Sequence, residues 1–167
     1  MGPAETEQQT ALTTLGELAC RYRTDEIPAA ELPMLAAELL AAGLDTPTLC
    51  DLAGWPRTAY TDDIRAAFEQ SLAEAGIPLP EPGLAWRHAL RRQAARYAAG
   101  ELTSAGPVNE DSPWEAVTEA ERAFLDLIPQ CGCCIEYTVP VDRQSWEAQL
   151  HAAALALLAA VPAVPGC

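Results

Sequence analysis

Pro78, Pro80 and Pro82 stand at alternate positions in Ile77-Pro78-Leu79-Pro80-Glu81-Pro82-Gly83, and this segment is predicted to break any helix entering it. Each proline lacks an amide donor, and its ring clashes with the carbonyl four residues back. The segment divides the chain near its middle, predicting an N-terminal part over 1–76, a linker over 77–83 and a C-terminal part over 84–167. With 167 residues the chain is of single-domain length. The two parts are therefore read as subdomains of one compact domain, not as independently stable units.

What each part folds into follows from its apolar residues. There are 33 Ala and 21 Leu but only 6 Val, 5 Ile and 2 Phe. Sheets favour β-branched and aromatic side chains, whereas Ala and Leu suit close-packed helices. Spacing agrees. Leu12, Leu15, Leu18, Ala19 and Tyr22 recur at helical intervals, predicting a first helix over about residues 7–24. A second helix is expected from Pro33 to Ala42 with Gly43 as its cap, and a short one from Thr46-Pro47 to Gly54. Thr61-Asp62-Asp63 reads as a hydroxyl cap followed by two anions against the positive end of a helix dipole. Ile64, Phe68, Leu72 and Ala75 would form the buried stripe of that helix, and Gly76 its stop. After the linker, one helix is expected from Leu84 to Ala99. Another is expected from the capping box Ser112-Pro113-Trp114-Glu115, with Trp114, Val117, Ala120, Phe124 and Leu127 on one face. A last helix, capped by Asp142, would bury Trp146, Leu150, Ala153, Leu157 and Ala160. Only Ile135 to Val139 alternates as a short strand would. The predicted fold is all-α, with six to seven helices in two subdomains joined by the Pro-rich linker.

Arg21-Tyr22 with Glu26 recurs as Arg96-Tyr97 with Glu101, 75 residues later. Both sets fall at predicted helix ends. Recurrent helix-stop chemistry explains this, with Tyr packed inward and Arg facing the negative helix terminus. A duplicated helical unit is the alternative.

The formal net charge is −14, and all ten basic residues are Arg. A nucleic-acid surface needs clustered cations to displace counterions, so that class is excluded. The stretch Thr48 to Gly54 superficially suggests a helix-turn-helix, but its second helix would meet phosphates with Asp62 and Asp63. The longest nearly uncharged apolar stretch, Ala152 to Val164, is broken by Pro162 and falls short of the roughly 20 residues a membrane span requires. The N-terminal residues carry acids where a signal peptide carries cations, so the expected location is the cytoplasm. In that compartment the six Cys are expected as reduced thiols.

Two clusters could carry chemistry. Cys131, Cys133 and Cys134, with Gly132 between them, place three thiols within four residues, and thiolates select Zn²⁺ or Cu⁺. A fourth ligand would come from His88, His151 or another Cys. The alternatives are buried small hydrophobes and redox or covalent thiol chemistry. The second cluster is Arg87, Arg91, Arg92 and Arg96 on one predicted helix, with no acid between Leu84 and Gly100. These arginines would dock a carboxylate- or phosphate-bearing partner, or pair internally with neighbouring acids. Trp55, between a helix stop and Pro56, is the candidate exposed contact anchor. Glu147 and His151, four apart, could clasp a metal, but the ligand pattern of a di-iron bundle is missing. No GxSxG, HExxH, GxxxxGK[ST] or GxGxxG occurs.

Two stretches carry a resemblance. One runs from Ile27 through Pro33, Glu38 and Gly43-Leu44-Asp45-Thr46-Pro47 to Leu52-Ala53-Gly54. The other is Tyr97-Ala98-Ala99-Gly100-Glu101-Leu102, followed by Phe124-Leu125-Asp126-Leu127. Together they resemble small acidic helical proteins of GC-rich bacteria without assigned activity. Some of these look like accessory or immunity-type partners encoded beside toxins or biosynthetic enzymes. The resemblance implies a helical fold and a protein partner, and defines no site residues. Those proteins usually carry acidic and aromatic residues where this chain has Cys131 to Cys134. Three functions stand as expectations. The first is a non-catalytic acidic protein that engages a basic protein partner. The second is a soft-metal or thiol-reactive protein using Cys131, Cys133 and Cys134. The third is a small helical enzyme holding an anionic substrate between subdomains through Arg87, Arg91 or His88.

Overall fold

The computed structural model describes residues 3–101, 118–128 and 143–160, and its fold is all-α. Seven α-helices lie among these residues: α1 (Pro3–Arg23), α2 (Leu32–Ala41), α3 (Pro47–Ala53), α4 (Thr61–Glu74), α5 (Pro82–Ala98), α6 (Glu119–Leu125) and α7 (Arg143–Ala160). A 3-10 turn, Ala29–Glu31, precedes α2. The chain divides into two compact units, Met1–Ala85 with Val164–Cys167 and Trp86–Ala163. The expected capping box at Ser112, the Trp114 and Val117 positions, the alternating Ile135–Val139 and the Asp142 cap all lie outside the described residues.

The first unit is built on α3, which packs against both α2 and α4. Its core joins Leu15, Leu18, Ala19 and Tyr22 of α1 to Leu32, Ala36 and Leu39 of α2, Leu49 and Leu52 of α3, and Ile64, Phe68 and Leu72 of α4. Each fully buried Leu or Phe contributes about 1.5–3 kcal/mol of transfer free energy, so these elements are held mainly by their apolar faces. Polar ties between elements are added to these, one of them at the start of α3. The Glu74 carboxylate accepts from the Thr48 amide at 3.0 Å and from its hydroxyl at 2.5 Å. It thus supplies the first turn of α3 with a cap from another helix, because the Thr46 side chain makes no capping bond there. These bonds hold the Glu74 carboxyl below its ordinary pKa.

In the second unit, Leu90, Ala94 and Tyr97 of α5 meet Phe124 of α6, Ile128, and Trp146, Leu150, Ala154 and Leu157 of α7. The buried stripe of α7 therefore passes through Ala154, where spacing predicted Ala153 and Ala160. Ala160 is exposed in the last turn. The Trp146 indole donates to the Leu127 carbonyl at 3.1 Å, which ties α7 to the end of α6.

Helix boundaries differ from the expectations in instructive ways. Residues 77–81 carry no helix, but α5 begins at Pro82 and includes Gly83. A proline in the first turn sacrifices only an amide that has no intrahelical partner, so it starts a helix as readily as it breaks one. Thr61 is the first residue of α4, not its cap; Tyr60 holds the capping position with extended backbone and no side-chain bond. A true capping box sits at α6. The Thr118 hydroxyl accepts from the Glu121 amide at 3.2 Å, and the Glu121 carboxylate accepts from the Thr118 amide at 3.0 Å.

Candidate functional site

The arginines of α5 lie on a helix whose residues from Leu84 to Ala94 are all at least partly buried. Arg87 donates from Nε to Oε1 of Glu121 at 2.6 Å. Glu121 is 2 % exposed, and its second carboxylate oxygen closes the Thr118 capping box. A buried carboxylate must be paired on both oxygens or it destabilises the fold, and here it is. Arg91 reaches the carbonyls of Leu157 and Leu158 at 3.4 Å each. Those carbonyls belong to the last turn of α7, where backbone acceptors lack intrahelical donors and the helix dipole is negative. Arg96 pairs with Glu101 at 3.3 Å on the surface. Arg92 is half-buried.

His88 is buried on the same helix. Burial, followed by the charges of Arg92, Arg91 and Arg87, holds its imidazole below the ordinary histidine pKa. The ring is therefore neutral at neutral pH. It can offer one donor and one acceptor nitrogen, but its basicity is low. Glu121, 34 residues from Arg87 in sequence, is the residue that sequence reasoning missed here. The T-x-x-E pattern of its capping box was available as a signal.

Trp55 follows α3 and is half-buried against the first core, while Tyr60 at the start of α4 is 69 % exposed. Of the Glu147 and His151 pair, the Glu147 carbonyl accepts from the Tyr97 hydroxyl at 3.4 Å, and the exposed His151 ring lies 6.3 Å from the Tyr97 ring. Among the described residues no group of three or more His, Cys, Asp and Glu converges as a metal site. Cys131, Cys133 and Cys134 lie outside the described residues. Two other cysteines are described. Cys50 is a free, exposed thiol that donates to Asp45 at 3.1 Å, and this bond raises its pKa. Cys20 is fully buried and disulfide-bonded, which corrects the expectation of six reduced thiols and removes it as a thiolate ligand.

Two further features were not anticipated. In the first unit, the Tyr22 hydroxyl donates to Glu69 at 2.7 Å, and Arg65 lies 5.8 Å over the Tyr22 ring while pairing with Asp25 at 3.2 Å. Burial and the Glu69 carboxylate push the Tyr22 phenol up to about 12. The second feature is a groove of ≈ 700 Å³ between α1 and α2, walled by Thr10, Thr14 and Leu18 on one side and by Leu35, Glu38 and Leu39 on the other. Its existence depends on the angle between two helices, for which periodicity carries no signal.

Comparison with known protein families, with curated proteins and with solved structures found no match.

Proposed function

We propose that this chain is a non-catalytic binding protein, accessory or immunity-like in character, that engages a protein partner with a basic surface. The observation that carries the reading is where the charge lies. The first unit holds fourteen carboxylates against four arginines, a net −10, whereas the second holds ten against six. Two of the four arginines in the first unit already pair with acids beside them, Arg21 with Glu26 and Arg65 with Asp25. Glu17, Glu31, Glu38, Asp62 and Asp63 are all exposed. A one-signed field of this kind raises the rate at which a cationic partner arrives and disfavours anionic competitors. In the second unit, three of the clustered arginines serve internal acceptors, which supports a structural role for that helix.

The test uses the proteins encoded beside this chain's gene, purified singly and passed over the immobilised chain at low and high salt. A basic neighbour is expected to bind, with an association rate falling about tenfold or more as salt rises past the Debye-screening range. Absence of binding by every neighbour, or a rate indifferent to salt, overturns the reading.

A further inference from the structure

The groove between α1 and α2 lies wholly within the acid-rich first unit. Its apolar surface comes from Leu18, Leu35 and Leu39. Thr10 and Thr14 add to it, because each spends its hydroxyl proton on its own helix: Thr10 donates to the Thr6 carbonyl at 2.8 Å and Thr14 to the Thr10 carbonyl at 3.1 Å. With those donors used, the threonine wall has methyl groups and weak acceptors to offer, but no hydroxyl donor. Met34, four residues before the wall residue Glu38 on the same face of α2, is 49 % exposed and adds apolar surface beside the groove. The charged wall residue on α2 is Glu38. Arg21, on α1, is drawn toward Glu26 at 3.9 Å.

We infer that this groove seats an amphipathic helix of the partner, with apolar side chains in the groove and basic side chains over Glu38 and the surrounding acids. The inference rests on the basic-partner reading above and assigns it a place. Three considerations select this occupant. The α1 wall runs from Thr6 to Arg21, about 22 Å at the helical rise, which matches an occupant of four turns. A helix lying in such a groove presents side chains at steps of three and four, and ≈ 700 Å³ receives several of them. A second copy of this chain would bring one −10 unit against another, whereas a cationic helix neutralises the field.

The experiment uses the full chain and two labelled peptides of about 14 residues made only of Leu and Lys. One peptide places Leu at helical steps of three and four; the other has the same composition with no apolar face. Fluorescence anisotropy at low salt is expected to show the patterned peptide binding about tenfold tighter, the gain from burying roughly one additional Leu. Thr14→Trp fills the groove from an exposed position and should abolish the preference, whereas Thr14→Ser should keep it. If circular dichroism shows that Thr14→Trp disturbs α1, Thr10→Trp takes its place. Glu38→Gln should weaken both peptides alike. Equal binding of the two peptides by the wild type overturns the groove and leaves the acidic-surface reading intact. Binding of neither peptide overturns both. A concentration-dependent dimer that Thr14→Trp dissolves would make a second copy the occupant, and would likewise overturn the proposal.

Discussion

The ends of α1 and α5 carry one local pattern in two surroundings. Residues Leu15, Ala19 and Tyr22 are buried before the first end, and Leu90, Ala94 and Tyr97, each 75 residues on, before the second. Each helix closes with the same pair of backbone bonds. Asp25 and Gly100 donate to the carbonyls of Tyr22 and Tyr97, and Glu26 and Glu101 donate to those of Arg21 and Arg96 at 2.9 Å. In both, the Glu side chain then turns back to the Arg. Beyond this the two diverge. Tyr22 meets a carboxylate and a guanidinium, while Tyr97 meets a backbone carbonyl and an imidazole ring. The stop is written locally, in a six-residue stretch, and tertiary neighbours decide what the tyrosine is used for. Helix-stop chemistry accounts for the Arg, Tyr and Glu that recur at the two ends.

The comparison breaks first at the stripe. Leu15→Ala and Leu90→Ala each remove a side chain with at most 1 % exposure, so each should cost about 3 kcal/mol, visible as a lowered denaturant midpoint. Costs differing by more than twofold would show that one stripe collapses around its cavity and the other does not, and that the shared spacing conceals unequal packing.

Next come the residues with left-handed backbone. Gly100 has φ +74°, and a Cβ there meets nothing within 4 Å, so Gly100→Ala isolates the backbone penalty. That penalty is expected at about 1–2 kcal/mol. Asp25 holds the equivalent place at φ +54° and already bears it. Asp25→Gly should therefore stabilise, by about 1 kcal/mol less the surface ion pair with Arg65, itself worth about 0–1. A destabilised Asp25→Gly would mean that the ion pair outweighs the strain.

This pair of positions also shows how far the sequence could be read. Glycines at 43, 54, 76 and 100 marked four helix stops; three are left-handed, whereas Gly54 caps α3 with right-handed backbone. The stop after α1 has no glycine; the apolar spacing that closes at Tyr22 placed it near residue 24, beside the observed end at Arg23. Prolines misled at Pro82, where a helix begins. The T-x-x-E of Thr118 and Glu121 follows the same rule as Ser112 and Glu115, and lies six residues further along the chain. The Arg87–Glu121 pair was not legible at all. Four arginines on a face state what is available for pairing, and only the packing of α6 beside α5 states with what. The groove, the Glu74 cap on α3 and the Tyr22–Glu69 bond share that limit, since each joins residues whose proximity comes from helix packing.

The tyrosines give a smaller contrast. Tyr22→Phe removes a 2.7 Å bond to a carboxylate, and Tyr97→Phe a 3.4 Å bond to a carbonyl. Losses of about 1–2 and at most about 0.5 kcal/mol are expected, since charged acceptors make the stronger bonds. Both phenols are raised by burial, so each favours the protonated folded state. For Tyr22 that contribution is complete below pH 10 and is lost as pH rises through about 12. Glu69→Gln should bring the Tyr22 ionisation, followed by tyrosinate absorbance, to lower pH.

The smallest effect concerns a position where the two helix ends have nothing in common. Thr13 of α1 is exposed, and the residue 75 places on is His88, buried beside three guanidinium groups. Only the second end should therefore sense pH near neutrality. His88 has a folded pKa below its ordinary 6.5, so the unfolded chain takes up this proton first as pH falls. Stability is complete above pH 6.5, declines below it, and levels once pH drops past the folded value. His88→Gln keeps a polar side chain and abolishes the titration. The denaturant midpoint of wild type minus variant should thus fall from about pH 7.5 to about pH 5.5. Parallel curves over that interval would mean that His88 escapes its arginines by rotating to solvent on protonation, and the two helix ends would then be alike in this respect too.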